Sequence, residues 1–379
     1  MTEGHAQLLA RAFAGKRVLV TGHTGFKGSW LVLWLETLGA EVHGLALPPE
    51  APEGLFVAAG VEGLCEHRVG DIRDLALLRD VLLRVRPQAI FHLAAQPLVR
   101  RSYEQPLETL DVNVMGTAKL LEAVRLEKSR CAFVAVTSDK AYENQEWVYG
   151  YRETDPMGGH DLYSMSKGGA ELVCAAYRRS FFAPANLGDH GVALATGRAG
   201  NVIGGGDWAT DRIVPDAMRA LGEGRPVVVR NPSAVRPWQH VLEPLQGYLL
   251  LAARLMGAGP EDPGTFCEPW NFGPRAADSR PVRELVDALV QAWGSGTWRA
   301  EATGPAPHEA ALLRLSIDKA VARLDWWPRW DFLTAVKRTT EIYRAQKQGI
   351  STTGLRALCL TQIAAFQTSS AEATRSLHI

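Results

Sequence analysis

No stretch of the 379-residue chain is apolar for long enough to cross a bilayer. The longest run, 248–256, is interrupted by Arg254 and falls far short of the roughly 20 residues a spanning helix needs. A membrane partner is therefore not expected. Net charge is also missing: Lys plus Arg and Asp plus Glu each number 41, so no global field draws in nucleic acid or an anionic lipid surface. Any anionic ligand has to be held by local groups. Cysteine is scarce and scattered. The five residues, Cys65, Cys131, Cys174, Cys267 and Cys359, form neither an even set nor a zinc-chelating spacing. They predict reduced thiols in a cytoplasm and no metal site. Met1 to Lys16 carries Glu3 and only a brief apolar run, so neither a signal peptide nor an anchor is expected there. Internal repeats on the scale of roughly 20 to 50 residues are missing too, which excludes a solenoid.

What remains is an ordinary globular composition, 46% hydrophobic and 22% charged, in a chain long enough to bury a large core. From residue 17 to about 196, short β-branched apolar runs alternate with glycine-rich or polar turns and stretches of helical period. Strands are expected at 17–21, 41–45, 89–93, 132–137 and 192–196, with helices at 25–38, 75–84, 106–127 and 162–180. The runs VLV, AIFHLA and FVAV are nearly unbroken, as in strands buried on both faces. The pattern predicts an α/β fold: a doubly wound parallel Rossmann sheet with a smaller C-terminal α/β substrate-binding lobe. The division expected is 1–200 for dinucleotide binding, with later segments returning to it, 201–345 for the lobe, and 346–379 as a peripheral tail of helix and frayed end.

The first strand runs directly into Gly22-His23-Thr24-Gly25-Phe26-Lys27-Gly28. Gly22 permits the tight turn, Gly25 lets backbone approach a pyrophosphate, and Gly28 lets helix and sheet pack closely. The helix N-terminus then favours the negative charge. The second strand ends Gly44-Leu45-Ala46-Leu47, with neither the acidic residue that holds an NAD ribose hydroxyl nor an arginine for a 2'-phosphate. That strand leaves the choice between NAD and NADP open.

Tyr163 and Lys167 stand four residues apart, on one helix face. A cation so placed stabilises tyrosinate and is expected to lower the tyrosine pKa, making Tyr163 a general base for a hydroxyl that loses hydride. The strand 132–137 ends in Thr137-Ser138-Asp139-Lys140, at the sheet edge where ligands bind. Simple redox chemistry has no need of Asp139 and Lys140. Loss of water after oxidation at C4 of a hexose does: the C5 proton becomes acidic and the C6 oxygen must be protonated. Asp139, with its pKa raised by burial, is the candidate acid. Lys140 is the candidate base if desolvated to neutrality, or, if charged, a stabiliser of the enolate.

On these residues the chain resembles the extended short-chain dehydrogenase/reductase superfamily, and within it the CDP-glucose 4,6-dehydratases. The likeness also rests on Ala94-Ala95-Gln96-Pro97-Leu98-Val99-Arg100, Arg198-Ala199-Gly200-Asn201-Val202-Ile203-Gly204-Gly205-Gly206-Asp207-Trp208, and Arg236-Pro237-Trp238-Gln239-His240-Val241-Leu242-Glu243-Pro244. It runs from about 15 to about 344. Dehydratases acting on dTDP-glucose carry Asp-Glu where this chain has Asp139-Lys140, and relatives often have proline in place of Leu162. The resemblance implies NAD as cofactor, held by Gly22, Thr24, Gly25, Phe26, Lys27 and Gly28, with Tyr163 and Lys167 against it. Asp71 and Ile72 would hold adenine; Leu93, Ala94, Ala95 and Gln96 would line the ribose and pyrophosphate. Ser138 would hydrogen-bond the reacting oxygen. Asn201, Arg212 and Arg236 would bind the sugar nucleotide, with Trp208, Trp238 and His240 shaping its pocket. CDP-glucose is the implied substrate, in deoxysugar biosynthesis. The implied assembly is a homodimer or homotetramer paired through the helices at 106–127 and 162–180. Two other readings stay open: a nucleotide-sugar 4-epimerase or reductase, and a non-catalytic dinucleotide-binding protein.

Overall fold

The computed structural model describes residues 4–301 and 312–369. Seven strands build one sheet: β1 (Arg17–Thr21), β2 (Glu41–Ala46), β3 (Glu66–Val69), β4 (Ala89–His92), β5 (Cys131–Val136), β6 (Val192–Ala199) and β7 (Pro269–Phe272). Their order is β7-β6-β5-β4-β1-β2-β3, and every pairing is parallel. The chain leaves β1 towards β2 on one side and returns to β4 on the other. A crevice therefore opens beyond the carboxyl ends of β1 and β4, where such sheets bind ligands. Register levels those ends: Thr21 lies opposite both Leu45 and His92, and His92 opposite Ala135. The segments that follow all emerge on one edge.

Alternation along the strands divides the core in two. Leu19, Ile90, Phe133 and Leu194 point to one face, against Leu78, Leu82, Leu120, Leu121 and Cys174. Val20, Phe91, Val134 and Ala195 point to the other, against Trp30, Trp34, Leu245 and Leu249. A buried leucine or phenylalanine in these layers contributes about 1.5–3 kcal/mol. A third core, with Met218, Val229, Trp238, Leu289, Phe332 and Val336, joins the helices Ile213–Gly222, Val282–Trp293 and Phe332–Lys347 to short strand pairs.

Several elements differ from the pattern expected of the sequence. β3 reads EHRV and β7 reads PWNF; both lie at sheet edges, where short, polar or proline-led strands are tolerated and leave no apolar run. The expected helix at 106–127 is three pieces, Pro106–Leu110, a π-turn over Asp111–Met115, and Gly116–Leu126. The helix Leu242–Leu255 and β7 belong to the sheet layers although they lie in the later part of the chain. The helix Thr352–Thr368 buries Leu355, Cys359, Ile363 and Phe366 in the first core, with Phe366 edge-on to Trp34 at 5.7 Å. That much of the expected peripheral tail is packed against the main body; 370–379 lie outside the described residues. Among the described residues, no helix is long and apolar enough to cross a membrane.

Candidate active site

The turn after β1 has room for backbone only. Gly22 has a φ of +75°, and a Cβ there would lie 2.7 Å from the Ala94 nitrogen. At Gly28 a Cβ would lie 2.2 Å from the Gly22 carbonyl oxygen. The helix Phe26–Thr37 starts from Gly25 with no side-chain cap, leaving its first N–H groups available to an anion. This cradle fits a dinucleotide pyrophosphate.

Around the cradle the side chains are already engaged. The Thr24 hydroxyl donates to the Leu47 carbonyl at 3.0 Å. His23 lies buried with Nε2 2.6 Å from Nδ1 of His67; burial first, then His67, bring its pKa down to about 4. Asp71 follows β3, but its carboxylate accepts from Arg73 Nη2 at 2.6 Å and from Nε at 3.0 Å. This pairing carries the Asp71 pKa below the ordinary value. Ile72 is buried. Leu93, Ala94 and Ala95 are half-buried after β4, while Gln96 is buried and donates through Nε2 to Thr109.

Lys27 was expected in the cofactor loop, yet it reaches inward. Its Nζ lies 5.8 Å from the centroid of the Tyr248 ring. Burial, helped by Lys167 and Arg212 and opposed by Asp139, lowers its pKa to about 7. It thus belongs to the charge cluster of Asp139, Lys167 and Arg212.

β5 ends at Val136, and Asp139–Ala141 form one 3-10 turn. The Ser138 hydroxyl donates to Asp139 Oδ1 at 3.0 Å and accepts from the Lys140 N–H at 3.2 Å. Asp139 is only 3% exposed, and burial raises its pKa against the pull of Lys140, Ser138 and Lys27. The Lys140 Nζ lies 5.8 Å from the centroid of the Tyr163 ring. Asp139 is thus withdrawn from bulk solvent, and Lys140 reaches over the Tyr163 ring.

The helix Leu162–Ser180 is capped by Asp161, whose carboxylate accepts from the Ser164 N–H at 2.9 Å. Tyr163 and Lys167 are both buried on it. Burial lowers the Lys167 pKa to about 8, with Glu171 opposing. The expected lowering of the Tyr163 pKa is not what the structure gives. Burial dominates and raises it; the hydrogen bond with Ser138 and the charge of Arg212 pull it back, while Asp139 and Asp161 push it further up.

Arg212 enters this cluster, paired to Asp207 at 3.0 Å. Asn201 and Arg236 are half-buried, and Arg236 donates to the Val235 carbonyl at 3.0 Å. Trp208 packs edge-on to Tyr343 at 5.0 Å. Trp238 and His240 are packing residues rather than pocket walls. Trp238 lies in the third core and donates to the Arg280 carbonyl at 3.1 Å. His240 is fully buried between Trp30 and Trp330, and burial lowers its pKa to about 3.

Sequence reasoning passed over Asn113, Glu171 and Arg198. Asn113, on the π-turn, accepts from the Gln96 N–H at 2.8 Å and donates to Ser166 Oγ at 2.8 Å. It thereby ties the loop after β4 to the helix Leu162–Ser180. An asparagine inside a helical pattern is a poor helix former, and that was its signal. Glu171 gives none, being a charged residue inside an ordinary helix, whereas Arg198 heads the segment 198–208 quoted for the resemblance and had no role of its own there.

A parallel sheet in this order, with a phenol and an ammonium at its carboxyl edge, is the plan of the extended short-chain dehydrogenase/reductases. The family model described as GDP-mannose 4,6 dehydratase matches residues 19–257. The chain is 52% identical over 336 residues to a CDP-glucose 4,6-dehydratase of Salmonella typhimurium, covering 88% of this chain and 92% of that one. It belongs to the nucleotide-sugar 4,6-dehydratase family. A UDP-glucose 4-epimerase of Mycolicibacterium smegmatis is 28% identical over 88% of this chain and all of its own length. Among solved structures, dTDP-glucose 4,6-dehydratase from Streptomyces venezuelae, with NAD and TYD bound, superposes with a TM-score of 0.72. It is 26% identical, and the match covers 88% of this chain and 98% of that one.

Proposed function

We propose that the chain converts CDP-glucose to CDP-4-dehydro-6-deoxy-glucose and water. One observation carries the reading beyond plain redox chemistry: Asp139 is buried beside Ser138, and Lys140 reaches over Tyr163. Gly22, Gly25 and Gly28 would hold NAD, which would supply reversible hydride acceptance. Tyr163 takes the proton from the C4 hydroxyl, with Ser138 holding that oxygen and Lys167 supplying positive charge. Asp139, its pKa raised by burial, delivers a proton to the departing C6 oxygen. Lys140 takes the C5 proton or stabilises the enolate. Arg212, Arg236 and Asn201 hold the sugar nucleotide, and the third core forms the lobe that carries them. The 4-epimerase relative supports a second reading, in which the same serine, tyrosine and lysine act and no water is lost.

The test is incubation with CDP-, dTDP-, GDP- and UDP-glucose and catalytic NAD. A 4-keto-6-deoxy product is expected with CDP-glucose and little with the others. A 4-keto product from none of them, or an epimer from UDP-glucose, would remove the reading. We also place the protein in the cytoplasm, where its five free thiols remain reduced. Exposed Leu107, Met115, Met165 and Leu172 on the helices that flank the site support assembly with a second copy. Light scattering is expected to give a dimer or tetramer, and a single-chain mass would overturn that assignment.

A further inference from the structure

Glu171 and Arg198 form an ion pair inside the protein, Oε2 to Nη2 at 2.9 Å, with side chains 4% and 3% exposed. Two buried charges are poor value for stability alone, since apolar residues of the same volume often do as well. The contacts around the pair account for it better. Glu171 Oε1 accepts the hydroxyl of Thr137 at 2.5 Å, and Oε2 also accepts that of Thr196 at 2.8 Å. Arg198 Nη1 donates to the Tyr142 oxygen at 2.7 Å, and the Tyr142 hydroxyl donates in turn to Asn271 Oδ1 at 2.7 Å. Burial works against the charged Glu171, but Arg198, Thr137 and Thr196 still bring its pKa below the ordinary value.

The placement of these bonds is informative. Thr137 immediately precedes Ser138, and Tyr142 immediately follows the turn Asp139–Ala141. Both ends of the segment bearing Ser138, Asp139 and Lys140 are thus strapped to one ion pair. Glu171 itself stands one helical turn beyond Lys167, on the helix that carries Tyr163. The two halves of the reaction reside on different elements, oxidation at C4 on the helix and elimination across C5 and C6 on the turn. They must meet one sugar with sub-ångström tolerance.

We propose that Glu171 and Arg198 are positioning residues that hold the Ser138-Asp139-Lys140 turn in register with Tyr163 and Lys167, through straps at Thr137 and Tyr142. The proposal rests on the dehydratase reading above.

Thr137→Val and Tyr142→Phe each cut one strap and leave the ion pair in place; Glu171→Gln removes the charge that anchors both. In steady state with CDP-glucose and NAD, kcat per folded enzyme is expected to fall about tenfold in each strap variant and about a hundredfold in Glu171→Gln. KM should change little, as for an interaction that matters mainly in the transition state. Absorbance of reduced nicotinamide is expected to build up transiently, because elimination falls behind oxidation. Loss of stability alone would not produce that trace. If Glu171→Gln does not fold, the two strap variants still decide. A parental kcat in both, or a lower kcat without accumulation of reduced nicotinamide, overturns the proposal. A parent enzyme that yields no 4-keto product instead removes the dehydratase reading.

Discussion

Asp139→Asn is expected to slow water loss about a thousandfold, within the range that a positioned general acid supplies, while oxidation at C4 proceeds. Reduced nicotinamide should then accumulate in proportion to enzyme, with the 4-keto, 6-hydroxy sugar beside it. The expectation follows from environment. Burial holds the Asp139 pKa above the ordinary value, so the carboxyl retains a proton where an exposed aspartate has lost it. Elimination by the parent should therefore decline as pH rises through that raised value. The same shift bears on stability. A carboxyl whose folded pKa exceeds its unfolded value contributes stability below the unfolded value and loses it as pH rises through the folded one. Asparagine cannot ionise, so the variant should melt about 2 °C higher at neutral pH. Product formation at the parental rate by Asp139→Asn would end the assignment of Asp139 as the acid.

Tyr163→Phe is expected to lower turnover by about a thousandfold as well, but with the opposite spectroscopic result. Without the phenol nothing accepts the C4 hydroxyl proton, and no reduced nicotinamide should appear in single turnover. The ring remains beneath Lys140, so the fold should be retained, which circular dichroism and melting can check. Burial carries the Tyr163 pKa above its ordinary value, tempered by Ser138 and Arg212. Lys167, whose pKa lies near 8, loses its charge before the tyrosine can ionise, so activity should fall as pH rises through that value. A phenylalanine variant that reduces nicotinamide at the parental rate would transfer the base role to another group.

The central strands and the helix Leu162–Ser180 were legible because their signals are strong. β1, β4 and β5 are almost wholly buried and so read as unbroken apolar runs. Helix Leu162–Ser180 carries an Asp cap at its start. β3 and β7 were not legible: β3 is polar and little buried, whereas β7 is buried but too short and proline-led to leave an apolar run. Lys27 shows a different limit. The glycine spacing puts it beside the turn, in the first turn of the helix Phe26–Thr37, but only packing reveals the charge of Asp139 and Lys167 around its long side chain. Trp238 and His240 mislead for the converse reason: their motif neighbours lie near the site, while their rings fill cores. The bonds to Glu171 depend on β5, β6 and the helix Leu162–Ser180 meeting in space, which no spacing along the chain encodes.

The last strand of the sheet lies far along the chain, with consequences for synthesis. A ribosome-bound nascent chain that stops short of Pro269 presents β6 as an open edge, and it lacks Asn271, to which Tyr142 is anchored. Before residue 242 the face bearing Phe91 and Val134 is also without Leu245 and Leu249. The nucleotide-binding half therefore cannot reach its final state as an early, self-sufficient folding unit. From the end of β6 to the end of β7, elongation takes on the order of ten seconds, an interval during which β6 is available to chaperones or to unwanted strand pairing.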